Sequence, residues 1–201
     1  MSLFLNLKIR GLIRKLPDPS AANELVKIGA PAAAALVEAL DAADEAAHPV
    51  IIDVLARIGD PAIPSLAWAL EHPSGRVRRA AILAMAVIAS PRALEVLTNC
   101  FRIFPSMLST AVEPLLTALR HPSGKARATA AAYLGWLRYE RAIAPLLQAT
   151  DDSDAAVRRA AMLGLGQNAS PRAVELLMQM LKTQPDMQML AIEALALSAQ
   201  P

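Results

Sequence analysis

Three kinds of side chain in this sequence could carry chemistry, and each occurs at a telling spacing. Histidine occurs at His48, His72 and His121, and the last two sit in one phrase, His72-Pro73-Ser74-Gly75 and His121-Pro122-Ser123-Gly124. Neutral imidazole is a common metal ligand, so the pair reads first as two ligands of one ion. Arginine forms a column at Arg78, Arg127 and Arg158, a row of cations that could meet phosphates. The single thiol, Cys100, is the one side chain suited to sulfur nucleophilic attack. No Ser/His/Asp set, glycine-rich phosphate loop or pair of catalytic carboxylates stands out beside them.

The elements that must position these residues follow from an internal repeat. Ile28, Ile58 and Ile88 fall thirty residues apart, as do Gly29, Gly59 and Ala89, then Pro31, Pro61 and Pro91, then Leu36, Leu66 and Val96. Further on, Val77-Arg78-Arg79-Ala80-Ala81 returns as Val157-Arg158-Arg159-Ala160-Ala161, and Ser90-Pro91-Arg92-Ala93 returns as Ser170-Pro171-Arg172-Ala173, both offset by 80. Each unit reads as two helices. The first carries Val77, Ala80, Ala81, Ala84, Met85 and Ile88 at helical spacing. The second opens with Pro in its first turn, where a missing N–H costs nothing, after Asp60, Ser90 or Ser170 as N-cap. It buries positions such as Ile63, Leu66, Ala67 and Leu70. Neither helix can hide its apolar stripe alone, so neighbouring units must stack.

This frame settles the histidines and the thiol. His72 and His121 belong to turns two units apart, and stacked helices lie about 8 to 10 Å from one another, which separates the imidazoles beyond the reach of one metal. They read instead as turn residues, with Pro stopping one helix and Ser-Gly starting the next. Cys100 falls in the buried column of Leu40 and Leu70 and reads as an inert core thiol.

The middle and the ends depart from the pattern. Only 49 residues separate Arg92-Ala93 from the matching Arg141-Ala142, where two periods would need 60. The unit around Phe101 to Arg120 is therefore expected to have a shortened first helix, with a break at Phe104-Pro105-Ser106 and a local change of curvature, but no domain boundary. The expected fold is all-α, a right-handed α-α superhelix, or solenoid, of about six helical-hairpin repeats with atypical capping helices. Its organisation is one domain over residues 1–201, with a cap helix at 2–16, repeats at 19–183 that are irregular near 101–112, and a second cap at 186–199.

Composition narrows the function classes. The chain has 201 residues, is 55% hydrophobic and only 3% aromatic, which suits closely packed helices rich in Ala. One cysteine excludes an intrachain disulfide framework and a Cys-based zinc site, so a cytoplasmic setting is expected. No apolar run approaches the roughly 18 to 20 residues that span a bilayer, and no export signal is read at the N-terminus. The net charge is +2, but four basic groups and no acidic one lie in the first sixteen residues, leaving 16 basic against 18 acidic groups on the rest. A mildly acidic body does not suit phosphate-backbone binding.

Val157-Arg158-Arg159-Ala160-Ala161, Leu163-Gly164-Leu165-Gly166 and Ser170-Pro171-Arg172-Ala173 resemble the HEAT-like repeat of the phycobilisome lyase type. The resemblance covers about Ser20 to Ala199. It implies the solenoid, and it implies that the Arg column bridges units through acidic or carbonyl groups at the turns, with Asp151, Asp152 and Asp154 in reach. It implies several functions, because the repeat serves chromophore lyases, an iron-dependent hydroxylase, DNA glycosylases and plain adaptors. The deoxyhypusine hydroxylases bind iron through His-Glu dipeptides, and this sequence has none, so neither metal nor other cofactor is expected. A glycosylase would want a basic groove with aromatic and acidic residues for an extruded base; Trp68 and Trp136 are present, a basic lining is not.

The face of the second helices opposite the buried stripe is the expected binding surface. One column runs Glu38, Trp68, Thr98, Thr117, Gln148 and Met178; the next runs Ala42, His72, Arg102, His121, Asp152 and Lys182. Such a mixed groove with one large aromatic suits protein recognition, although packing of Trp68 against a neighbouring helix is the competing reading. The basic residues Lys8, Arg10, Arg14 and Lys15 lie opposite an apolar stripe of Leu5, Ile9, Leu12, Ile13 and Leu16. That helix serves either as a cap on the first repeat or as a contact to an anionic membrane surface. The sequence reading is thus a bacterial-type cytoplasmic adaptor, not an enzyme, whose groove holds a protein or peptide. Its alternatives are a phycobilin or chromophore lyase subunit and, behind that, a nucleic-acid-binding protein. A monomer or weak homodimer is expected.

Overall fold

The computed structural model describes residues 3–42 and 45–199. Ser2 of the expected cap, and Ala43 and Asp44 within the repeats, lie outside the described residues. The chain forms two compact units, Met1–Ala111 and Val112–Pro201.

In the first unit, α1 (Leu3–Ile13) packs on α2 (Pro19–Ile28) and α3 (Ala30–Ala42) through the fully buried Ile9. Two further hairpins follow, α4 (His48–Ile58) with α5 (Ile63–Leu70) and α6 (Gly75–Ile88) with α7 (Pro91–Ile103). First helices stack on first helices, α2 on α4 and α4 on α6, and second helices stack likewise, α3 on α5 and α5 on α7. Their apolar stripes meet as expected: Leu25, Leu36, Leu40, Leu55, Leu66, Met85 and Leu97 have no exposed surface.

The division between the units falls within α8 (Leu108–Ala118), which follows a 3-10 turn at Pro105–Met107. Between α7 and the next first helix the chain therefore has one α-helix where a regular repeat has two. The second unit continues with α9 (Gly124–Trp136), α10 (Ile143–Ala149), α11 (Ala155–Asn168), α12 (Pro171–Thr183) and α13 (Gln188–Ser198). Here α11 packs between α9 and α13. A Cβ on Gly135 would overlap the backbone of Gly164, and one on Gly166 would overlap the backbone of Ala194, so these helices cross at backbone distance. Among the described residues every regular element is helical, and none of the helices is long and apolar enough to cross a membrane.

Two kinds of connector join the helices of four hairpins, while α9 and α10 are joined through Arg138, at φ 53°, and a 3-10 turn at Glu140–Ala142. Gly29 and Gly59 have φ of 72° and 73° with ψ of −132° and −141°, a region open essentially to glycine. After Gly59 the chain winds one 3-10 turn, Asp60–Ala62, before α5. Asp60 is thus inside that turn and makes no cap hydrogen bond, contrary to its expected N-cap role; Gly59 precedes it instead. Ala89 and Ala169 take the left-handed helical conformation, φ 50° and 54°. Ser90 and Ser170 then cap α7 and α12, accepting from Ala93 and Ala173 N–H at 3.2 and 3.3 Å.

Candidate functional site

The turn between hairpins is built from the phrase that first looked like a metal site. His72 Nδ1 accepts the Ser74 N–H at 3.1 Å, and His121 Nδ1 accepts the Ser123 N–H at 3.2 Å. Asp152 takes the same place in the third turn, where its Oδ1 accepts the Asp154 N–H at 2.8 Å. The three residues close one kind of turn with three different acceptors, which is a structural use of both histidines. The third histidine, His48, is buried against the Leu40 carbonyl at 3.0 Å.

Each arginine of the column locks its own turn from the helix that follows. Arg78 Nη1 donates to the carbonyls of His72 and Pro73, both at 2.7 Å. Arg127 Nη1 donates to those of His121 and Pro122, both at 2.9 Å. Arg158 Nη1 donates to those of Asp152 and Ser153, at 2.9 and 3.0 Å. Of the three acids expected as partners, Asp152 is the one engaged. Its oxygens receive Nε and Nη2 of Arg127 in a fork, both at 2.8 Å, with each side chain only 15% exposed. The Arg127 hydrogen bond holds the Asp152 carboxyl below its ordinary range, and Asp152 in turn pushes the Arg127 guanidinium up. Asp154 instead caps α11 through the Ala156 N–H, and Asp151 is exposed.

The expected binding column is solvent-facing. Trp68 is 62% exposed on α5, with its ring edge against the His72 ring at 5.6 Å and 69°. Packing of Trp68 into a neighbouring helix is therefore not its role. Glu38 on α3 shares with it a cleft of about 380 Å3, lined also by Ala34, Val37, Pro64 and Ser65. In the second unit Gln148 and Asp152 border a smaller cleft of about 160 Å3 with Leu116, Leu119, Arg120 and Pro145. Thr98, Arg102, Thr117, Met178 and Lys182 are exposed and His121 is half-buried. Arg102 Nη2 donates to the Asn99 side chain at 3.3 Å, and the Thr117 hydroxyl donates to the Glu113 carbonyl at 3.0 Å.

The column does not stay in one register. The buried set Ala62, Leu66, Ala69 and Leu70 of the second hairpin corresponds to Ala93, Leu97, Cys100 and Phe101 in α7. Asn99 and Ile103, rather than Thr98 and Arg102, thus stand where Trp68 and His72 stand. In α12 the buried Ala173, Leu177 and Met180 put Gln179 and Thr183 there. The sequence carried the signal: Pro61-Ala62 has no residue between, whereas Pro91-Arg92-Ala93 and Pro171-Arg172-Ala173 have one. Cys100 accordingly matches Ala69, not Leu70; it is buried, and burial pushes its thiol up.

On α1, Lys8 pairs with Glu24 of α2 at 2.9 Å, and Arg10, Arg14 and Lys15 are exposed. Leu3, Phe4 and Leu7 are exposed as well, at 76, 81 and 62%. Among the described residues no three metal-binding side chains converge.

The sequence pattern of the family described as HEAT repeats matches residues 33–103 and 112–196. This chain belongs to the HEAT-repeat family. No protein of curated function matches it. Among solved structures, this HEAT-repeat chain is similar to a designed armadillo repeat protein in complex with the peptide (KR)4, at 20% identity over 96% of this chain and 98% of that one, with a TM-score of 0.48. It is also similar to the complex of CpcE and CpcF of phycocyanin lyase from Nostoc sp. PCC7120, at 22% identity over 82% of this chain and 98% of that one, TM-score 0.38. Human deoxyhypusine hydroxylase in complex with glycerol is 18% identical over 96% of both chains, TM-score 0.40.

Proposed function

We propose that this HEAT-repeat chain is a non-catalytic scaffold that binds a protein or peptide along the exposed faces of its second helices. The observation that carries this reading is Trp68. A Trp side chain left 62% exposed beside a cleft of about 380 Å3, touched within the chain by the His72 ring, is a large apolar surface, and such aromatics concentrate binding energy in protein interfaces. Glu38, exposed beside it in the same cleft, supplies a polar contact that fixes the orientation of a bound chain. The turns use up the histidines and one acid–base pair as structure, so they support recognition rather than catalysis.

Affinity capture from source-cell lysate with wild-type protein and a Trp68→Ala variant, read by mass spectrometry beside the absorption spectrum of the captured material, tests this. A protein held by wild type and lost with Trp68→Ala is expected. Identical captures with both variants overturn the assignment and move attention to the basic and apolar surface of α1. A visible-wavelength chromophore in the captured material replaces it with the lyase reading.

A further inference from the structure

Two rungs of the arginine ladder, Arg78 and Arg158, hold no acid on the Nε–Nη2 edge, and at Arg78 the Nε is also buried. At Arg127 three groups of the guanidinium are used: Nη1 by its own turn, and Nε with Nη2 by the Asp152 carboxylate. At Arg78 the turn contacts are the same, Nη1 to the carbonyls of His72 and Pro73, but Nε is buried without a hydrogen-bond partner. A buried donor left unpaired is costly, and native structures rarely keep one without a reason. The cause lies in one residue. Asp152 stands 25 residues after Arg127, and the residue 25 after Arg78 is Ile103, at the end of α7 and 62% exposed.

Beside this rung the first unit has a cleft of about 420 Å3, which Arg78 borders with Glu71, Phe104, Ser106, Met107 and Thr110. It offers an apolar wall from Phe104 and Met107 and hydroxyls from Ser106 and Thr110. Glu71, exposed at the end of α5, is its one acid and makes no ion pair with Arg78.

We propose that Arg78 is the carboxylate-binding site of this scaffold, its guanidinium taking an acidic group of the bound peptide through Nη2 and, once the groups covering it part, through the buried and unpaired Nε, as Arg127 takes Asp152. The ligand class is a peptide carboxylate, either an Asp or Glu side chain or a free C-terminus, seated in the cleft between Glu71 and Phe104. This rests on the peptide-binding reading above and adds the chemistry of the ligand. The fork geometry of guanidinium and carboxylate gives the selectivity, since an amide cannot accept two parallel N–H bonds at full charge.

The test follows the Nε–Hε resonances of 15N-labelled protein, with the Arg78 signal identified by its loss in Arg78→Lys. Three probes are titrated: acetyl-Ala-Glu-Ala-amide, acetyl-Ala-Ala-Ala with a free carboxylate, and acetyl-Ala-Gln-Ala-amide. A saturable displacement of the Arg78 resonance is expected with a carboxylate peptide, at an affinity about ten-fold or more above the Gln peptide. Response to the first probe alone assigns a side chain, and to the second alone a C-terminus. Ile103→Asp fills the rung from within the chain, moves the resonance toward that of Arg127, and abolishes the response. The proposal is overturned if neither carboxylate peptide shifts Arg78, if the response survives a displaced resonance in Ile103→Asp, or if Glu71→Gln alone shifts it as far as a peptide does. A carboxylate response unaffected by Trp68→Ala keeps this site and removes the Trp68 groove; Trp68-dependent capture with a silent Arg78 does the reverse.

Discussion

The turn before α6 and the turn before α9 share the letters His-Pro-Ser-Gly with an Arg three residues after the glycine, and they fold into the same hydrogen-bonded loop. They differ in what the guanidinium does with its second edge. Before α9 it is locked by Asp152; before α6 it is unpaired beside a cleft. The surroundings follow suit: the second unit packs glycine on glycine where α9 crosses α11, while the equivalents on α6, Ala84 and Ala86, keep their methyl groups. A shared local phrase therefore specifies a turn, and a single residue 25 positions further on decides whether its arginine is fastened to an acid or left with an unpaired donor.

The largest effect that would sharpen this contrast is at the glycine crossing. Gly164→Ala places a Cβ 2.8 Å from the Ala131 carbonyl oxygen, and the two helices must separate to admit it. A loss of about 3 kcal/mol or more is expected for such overpacking of a backbone-to-backbone contact, measured by denaturant unfolding. The reverse change at the matching position of the first unit, Ala84→Gly, removes a buried methyl and costs about 1 to 2 kcal/mol through propensity and lost burial. Equal costs at the two positions would break the distinction between the units.

Next comes the filled rung. Asp152→Asn is expected to lower the melting temperature by several degrees, whereas Ile103→Asn at the open rung leaves it nearly unchanged. The pH dependence has a definite sign. Because Arg127 depresses the folded-state pKa of Asp152 below its ordinary value of 3.8, the pair contributes fully above that value. The contribution is lost as pH falls through the lower, folded-state pKa. Wild-type melting curves between pH 6 and 2 should steepen in that window relative to Asp152→Asn, and superimposable profiles would show that the fork does not hold in solution.

The smallest effect concerns the connectors. Left-handed alanine costs roughly 1 to 2 kcal/mol relative to glycine in the same conformation, partly offset by the greater freedom of glycine in the unfolded chain. Ala169→Gly is expected to stabilise by about 0.5 to 1 kcal/mol, visible as a small rise in melting temperature, and Ala89→Gly by less, because it also removes a buried methyl. Gly59→Ala should destabilise by more, since its ψ of −141° lies outside the well that Ala89 occupies.

These comparisons show how far the residues alone lead. The hairpin repeat, its buried stripes, the serine caps at Ser90 and Ser170, and the solvent face bearing Trp68 were legible, because helical periodicity and cap chemistry are local. Asp60 was misread as a cap because a 3-10 turn winds the chain after Gly59, and nothing in Asp-Pro alone separates that turn from a direct helix start. The slip of one position in α7 and α12 was legible in principle, from the residue inserted between Pro and the buried Ala. What no local pattern could supply was the state of each arginine. That depends on which side chain returns 25 residues later, and on whether the space beside it is filled, which are facts of packing rather than of spacing.

The helices from Gly75 to Ala118 and from Ala155 to Ser198 share every boundary at an offset of 80, including the 3-10 turns at Pro105–Met107 and Pro185–Met187. Ser74 and Asp154, the residues just before each series, hold nearly the same extended backbone, φ −70° and −87° with ψ 119° and 122°. Residues 75–154 thus behave as a cassette with interchangeable ends. Copying it once would join Asp154 to Gly75 through a cap of a kind the chain already makes, and the helix interface it creates would need glycine in place of the second copy's Ala84, as Gly164 stands against α9 here.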